Sequence, residues 1–300
     1  MKLLLLGKNG QVGWELQRAL APLGEVIAFG TELDLADTAA MRSAVREAAP
    51  SVILNAAAYT AVDKAEADPA GARRINAEAV GILAVEARRA GAWLVHYSTD
   101  YVFDGAKPTP YVEDDVPRPL SVYGSTKLEG EEAVRNTHER HLIFRTSWVF
   151  AARGTNFPKT MLRLAAQRES LTVVADQHGA PTSAELLADI TALALYRINR
   201  GAAGTEALAG TYHLAASGET TWCDYARYVV ALARSKGAAM RCPPERIEPI
   251  RTEAYPVAAL RPKNSRLDTA KLRRTFNVHL PDWRYHVGRL VEELALPKVS

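Results

Sequence analysis

Gly7-Lys8-Asn9-Gly10-Gln11-Val12-Gly13 is the stretch on which the fold turns. It follows the apolar run Leu3-Leu4-Leu5-Leu6, predicted as a buried strand. It precedes apolar residues at helical spacing over Val12–Leu23, closed by Gly24. A strand, a glycine turn and a helix in that order open a βαβ unit. Gly7 permits the tight turn, Gly10 lets the backbone approach a diphosphate, and Gly13 lets the helix pack against the strand. The helix N-terminus then offers free N–H groups and a positive dipole to phosphates. The glycines follow GxxGxxG rather than GxGxxG, a distinction within dinucleotide folds.

The next strand, predicted over Glu25–Phe29, ends at Phe29-Gly30-Thr31. An acid at that end would hold the ribose 2′-hydroxyl of NAD. Here none stands before Glu32. The missing carboxylate removes a repulsion against a 2′-phosphate and leans toward NADPH. No Arg or Lys stands there to attract one, so NADPH and NADH both stay open. Downstream, Asp34-Leu35 is placed either to reach the adenine or to put an acid near the next helix.

Outward from this unit the alternation continues. Strands are predicted at Ser51–Leu54, Trp93–Tyr97 and Leu142–Thr146, and helices at Thr38–Ala48, Asp68–Ala90 and Val122–Thr137. The rhythm predicts an α/β fold with a Rossmann-type, doubly wound parallel sheet. The second half is less regular, with helices at Asn156–Arg168, Ser183–Asn199, Thr221–Ser235 and Trp283–Leu294. Proline-bearing loops between 243 and 263 read as lid or binding segments. Residues 1–150 are expected to form a dinucleotide-binding domain, with some later segments returning to it. Residues 151–300 are expected to be mainly a smaller, interleaved substrate domain.

Composition removes several function classes. The 300 residues are 48% hydrophobic and 24% charged, ordinary globular values. A net charge of +3 with no basic run argues against nucleic acid. Two cysteines, Cys223 and Cys242, exclude a disulfide framework and make the cytoplasm the expected location. The four leucines near the start are too few for a signal peptide, and no stretch approaches the roughly 18 apolar residues of a membrane helix. The seven histidines are scattered, with no zinc spacing.

Tyr123-x-x-x-Lys127 stands at the start of a predicted helix, so both side chains lie on one face. A lysine ammonium beside a phenol is expected to pull it down from about 10, making the tyrosine a usable proton donor and acceptor. Ser98-Thr99-Asp100 ends a predicted strand, where a hydroxyl can bond a substrate oxygen beside the tyrosine. In open α/β sheets, ligands sit beyond such carboxyl ends.

The glycine turn, Asn55-Ala56-Ala57-Ala58, Ser98-Thr99-Asp100-Tyr101-Val102-Phe103 and Tyr123–Lys127 together resemble the extended short-chain dehydrogenase/reductase superfamily. More narrowly, the chain is similar to the dTDP-4-dehydrorhamnose reductase family. The strings that carry this include Ala-Val-Asp-Lys-Ala-Glu (61–66), Phe-Arg-Thr-Ser-Trp-Val (144–149), Asp-Gln-x-Gly-Ala-Pro-Thr (176–182) and Arg-Pro-x-Asn-Ser-Arg-Leu (261–267). They run in order over nearly the whole chain.

The resemblance implies NAD(P)H-dependent reduction of the C4 ketone of dTDP-4-dehydro-β-L-rhamnose. Thr99, Tyr123 and Lys127 would be catalytic. The cofactor would lie on Gly7, Asn9, Gly10, Gln11, Val12, Gly13, Asp34, Leu35, Ala56, Ala57, Ala58, Tyr123 and Lys127. The nucleotide sugar would meet Thr99, Asp100, Tyr101, Phe103, Trp148, Asn156, Arg261 and Asn264. Arg261 would hold the diphosphate, and Trp148 would stack on sugar or base unless it is a core residue. Similar dehydratases carry a Glu after the Thr-Asp pair; Tyr101 in that place favours reduction over dehydration or epimerisation. A non-catalytic regulatory subunit is the other alternative, and intact Thr99, Tyr123 and Lys127 argue against it. A homodimer is expected. Glu185 with Glu293, or Glu292, would hold Mg²⁺ at the dimer contact, unless these are ordinary helix-surface glutamates.

Overall fold

The computed structural model describes residues 1–201 and 204–295. Six strands form one parallel sheet: β1 (Lys2–Leu6), β2 (Glu25–Phe29), β3 (Val52–Asn55), β4 (Trp93–Thr99), β5 (His141–Thr146) and β6 (Gly210–His213). Their order across the sheet is β2-β1-β3-β4-β5-β6. The chain leaves β1 to one side for β2 and returns on the other for β3. The crevice between β1 and β3 is therefore the switch point where open sheets bind ligands.

The leucines of β1 explain why the sheet carries helices on both faces. Leu3 and Leu5 join the core cluster containing Leu16, Leu20 and Phe144. Leu4 and Leu6 join a different cluster with Met41, Val45, Ile53 and Leu83. Alternate side chains leave opposite faces of a strand, so a continuous apolar run feeds two layers.

The predicted helices form with end corrections set by their caps. Asn156, Ser183 and Thr221 are not helical; each accepts a backbone N–H of the first turn, at Lys159, Leu186 and Asp224. The first helix is Gln11–Leu20, and its predicted end at Ala21–Leu23 is a 3₁₀ turn before Gly24. The predicted 68–90 helix is broken into Pro69–Arg73, a π-helical turn Arg74–Glu78 and Ala79–Ala90.

Several elements were not foreseen. Strand β6 joins the edge of the main sheet beside β5, so a late segment returns to the first layer. Ile247–Ile250, inside the proline-bearing region expected to be loop, pairs in parallel with Leu171–Val174. A short helix spans Ala270–Phe276. Cys223 and Cys242 are buried thiols in the small core of the second half. Among the described residues, no helix is long and apolar enough to cross a membrane.

Candidate active site

A cavity of about 620 Å³ opens along the carboxyl ends of β1, β3, β4 and β5. The glycine turn forms one wall. Gly7 takes φ +88°, and its N–H donates to the Phe29 carbonyl at 2.8 Å. A Cβ on Gly13 would meet the Gly7 carbonyl oxygen at 2.0 Å, whereas one on Gly10 finds nothing nearer than that oxygen at 3.4 Å. Gly13 is therefore required by helix packing, and Gly10 leaves its space to a ligand. No side chain caps the helix that starts here. An uncapped, cavity-facing N-terminus fits the diphosphate of a dinucleotide. Gly7, Asn9, Gly10, Gln11, Val12 and Ala56 to Ala58 all line the cavity.

At the end of β2, Lys8 pairs with Glu32 and donates to the Ala28 carbonyl. That Lys8 bond holds Glu32 down at about 2. A lysine therefore does stand where the sequence showed no basic residue, delivered from the glycine turn rather than from the strand end. Asp34 and Leu35 lie outside the cavity lining. The Asp34 carboxylate accepts the Ala36 N–H, and Leu35 packs beside Met41 in the core.

On the opposite wall, β4 delivers Thr99, and the helix Val122–Thr137 delivers Tyr123 and Lys127. Ser121 fixes that helix start by accepting the Gly124 N–H at 3.2 Å. Thr99 and Tyr123 line the same cavity, and the Thr99 hydroxyl acts to lower the phenol's pKa. It donates to Asp100 Oδ1 at 3.1 Å and accepts the Tyr101 N–H at 3.2 Å. The phenol is not brought down as expected. Burial raises the Tyr123 pKa, with Thr99 only partly offsetting it. Lys127 Nζ instead donates to the Tyr97 carbonyl at 2.6 Å and lies 3.2 Å from His96 Nε2. Burial brings Lys127 down to about 8, against the pull of Glu131.

Behind these residues is a polar layer that the sequence reading missed. Asn55 Nδ2 contacts His96 Nδ1 at 3.3 Å. Glu131 is fully buried and accepts from Ser98, Arg135 and Arg145, the last through Nε at 2.9 Å and Nη2 at 2.7 Å. Burial alone would raise the Glu131 pKa; the Arg145 bonds reverse this and hold it low. The only sequence signal was polar residues inside otherwise apolar strands, His96 and Arg145.

The substrate side is marked by buried polar atoms without partners: Asp100 Oδ2, Thr146 Oγ1 and Arg261 Nη1. A buried, unsatisfied group in a native fold calls for a ligand or water. Burial pushes Asp100 up to about 6 and Tyr101 up to about 12. Arg261 Nη2 pairs with Asp63 at 2.6 Å, which carries the loop back over residues 61–66. Tyr101 and Arg261 also line an adjoining cavity of about 400 Å³. Trp148 lines the main cavity.

Other expected contacts fall elsewhere. Phe103 is 1% exposed and stacks on Tyr111 with centroids 4.2 Å apart, a core pair. Asn264 spends its amide on the carbonyls of Lys107 and Thr109 and its oxygen on Arg266. Asn156 caps its helix and donates to Gln11 Oε1 at 2.8 Å, tying the glycine turn to the second half. Glu185 lies 3.4 Å from the Arg289 guanidinium, and Glu292 pairs with Lys236. Among the described residues, no three His, Cys, Asp or Glu side chains converge on a metal position.

The model of the family described as RmlD substrate binding domain matches residues 1–296. A dTDP-4-dehydrorhamnose reductase of Escherichia coli K12 is 52% identical over 299 residues, with 98% of each chain covered. The chain belongs to the dTDP-4-dehydrorhamnose reductase family. A second member of that reductase family, from Burkholderia thailandensis, is 51% identical, covering 98% of this chain and 99% of its own. The family's solved structures share the fold in full. One from Clostridium acetobutylicum aligns with a TM-score of 0.89 at 36% identity, covering 99% of this chain and 100% of that one. One from Bacillus anthracis, solved in complex with NADP, gives a TM-score of 0.86 at 35% identity over 98% of this chain and 100% of its own. A UDP-glucose 4-epimerase of Thermotoga maritima shares only the fold, at 16% identity and a TM-score of 0.79 over 98% of each chain.

Proposed function

We propose that the chain reduces the C4 ketone of dTDP-4-dehydro-β-L-rhamnose to the alcohol of dTDP-β-L-rhamnose, the last step of dTDP-rhamnose synthesis, with NADPH or NADH. The observation that carries this is the convergence of the Thr99 hydroxyl and the Tyr123 phenol on a cavity whose other wall is the glycine turn.

A dinucleotide held through its diphosphate by the glycine turn would supply the hydride from its reduced nicotinamide. Tyr123, kept protonated by burial, gives its proton to the oxygen that becomes an alkoxide. Thr99 turns its O–H from Asp100 Oδ1 to the same oxygen, so two donors face the developing charge. Lys127, near its own pKa, holds the ribose hydroxyls and, as an ammonium, stabilises the phenolate left on Tyr123. Asp100 Oδ2 is free to accept a sugar hydroxyl, and Arg261 Nη1 to donate to the diphosphate. Tyr101, at the place where a dehydratase carries a carboxylate, supplies no carbon base.

In this reading, residues 1–150 with strand β6 form the dinucleotide-binding part, and most of 151–300 covers the sugar nucleotide. The protein works as a cytoplasmic homodimer. Light scattering should return twice the monomer mass; a fall on adding EDTA would place a metal between two copies.

The test mixes the protein with dTDP-4-dehydrorhamnose and NADPH and follows loss of nicotinamide absorbance. Consumption only with that ketone is expected. No consumption, or equal rates with ketones lacking the nucleotide, would overturn the proposal.

A further inference from the structure

Trp148 is one of three non-glycine residues at positive φ among the described residues, at φ +50°. A bulky side chain pays steric strain in this region, and such strain collects at functional sites when neighbours over-determine it. Two neighbours do so here. The Trp222 ring stacks on Trp148 with centroids 3.7 Å apart and planes 17° apart. Gly179 presses on the same indole so closely that a Cβ there would come within 2.6 Å of it.

Trp222 is itself anchored. Its Nε1 donates to Gln177 Oε1 at 3.1 Å, and Gln177 Nε2 donates to Thr252 Oγ1 at 3.2 Å. The Phe157 ring lies 4.5 Å from the Trp222 ring. Trp148 lines the cofactor cavity, whereas Trp222 lines the adjoining one. The two cavities share Val62 and Tyr101, so the indole pair stands at their boundary.

We propose that Trp222 is a positioning residue that acts through Trp148: it holds the indole wall at the boundary between the two cavities, and with Gly179 it sets the shape offered to the sugar nucleotide. Trp222 itself lines the adjoining cavity beside Tyr101 and Arg261, so its removal should weaken the sugar nucleotide more than the cofactor. The proposal rests on the reductase reading for its kinetic arm only.

Trp222→Ala, Trp222→Phe and Trp148→Phe are compared with the unaltered enzyme. Trp222→Ala should raise the KM for the sugar nucleotide roughly three- to tenfold, the worth of one aromatic pair, with the NADPH KM within about twofold. Trp222→Phe restores a ring and should recover most of this. A core role alone would move both KM values together, or thermal stability alone; either result overturns the proposal. The second readout needs no turnover. Two indoles stacked this closely give an exciton couplet in circular dichroism. It should be lost equally in Trp222→Phe and Trp148→Phe, and titration with dTDP should perturb it in the unaltered protein. A couplet missing from the unaltered protein, or indifferent to dTDP, overturns the proposal. Absence of ketone reduction with an intact, dTDP-sensitive couplet would overturn the reductase reading instead.

Discussion

Lys127 Nζ lies 3.2 Å from His96 Nε2. Asn55 Oδ1 accepts the Ala57 N–H, so its Nδ2 faces His96 Nδ1 and can only donate. His96 therefore accepts on Nδ1 and carries its proton on Nε2. That N–H faces Lys127 Nζ and disfavours its ammonium, alongside the burial that brings Lys127 down to about 8. The ammonium still predominates at neutral pH and keeps its bond to the Tyr97 carbonyl.

This sets a pH dependence. The Lys127 ammonium is lost as pH rises through about 8. Tyr123, raised by burial, stays protonated there. Turnover should fall along an alkaline limb near 8, and Lys127→Met should be slow with that limb gone. A rate that stays level to pH 10, measured by NADPH absorbance, would remove Lys127 from the reaction.

Tyr123→Phe deletes the proton donor and leaves the ring. A general acid contributes about 10²- to 10⁴-fold, so kcat should fall by that order. NADPH affinity, read by fluorescence titration, should stay nearly unchanged. Near-normal turnover would exclude the assigned role.

Asp100 bears on stability. Burial raises its pKa from an ordinary 3.8 to about 6. Between those values the folded state binds more protons than the unfolded, so stability falls as pH rises across that window. The shift corresponds to roughly 3 kcal/mol lost above it. Asp100→Asn removes the buried charge and should raise Tm at about pH 7.5, with the gain shrinking toward about pH 4. A Tm gain equal at both pH values would argue against the buried charge as its cause.

Glu131 and Arg145 are a buried pair with side chains 0% and 3% exposed. Glu131→Ala strands the guanidinium and should cost about 3–5 kcal/mol in chemical denaturation. Arg135, paired to the same carboxylate but 34% exposed, should lose at most about 1 kcal/mol on conversion to Ala. Equal losses would mean that burial does not govern the network.

The two inner glycines should separate packing from binding. Gly13→Ala drives a Cβ into the Gly7 carbonyl and should lower both Tm and NADPH affinity. Gly10→Ala meets nothing closer than 3.4 Å in the protein, so Tm should hold while NADPH affinity falls. Preserved affinity in Gly10→Ala would remove the diphosphate from that position.

Much of this was legible because it is local. Short apolar runs announced strands β1 to β5, and period-3.6 patterns announced the long helices. Cap residues such as Ser183 moved their ends by only a position. Strand β6 was not legible: Gly210-Thr211-Tyr212-His213 has no apolar run, and only pairing with β5 makes it a strand. Ile247–Ile250 was read as loop because Pro249 breaks the pattern, and its partner Leu171–Val174 lies far away in the chain. Phe103 and Asn264 sit in matching strings, but a string does not say whether a side chain faces a cavity or a core.

By itself, the sequence determined the dinucleotide-type fold, the family it resembles, and the trio Thr99, Tyr123 and Lys127. These depend on residue type at short spacing: glycines where a Cβ cannot fit, and Tyr and Lys one helical turn apart. Only the tertiary structure decided their electrostatics. Burial raises the phenol that the neighbouring lysine was expected to lower, and His96 and Tyr97 take that lysine's hydrogen bonds. It also decided that Lys8 reaches the end of β2 and that Trp222 backs Trp148. Solvation and contacts between distant residues exist only once the chain has closed on itself, so no spacing in the sequence could carry them.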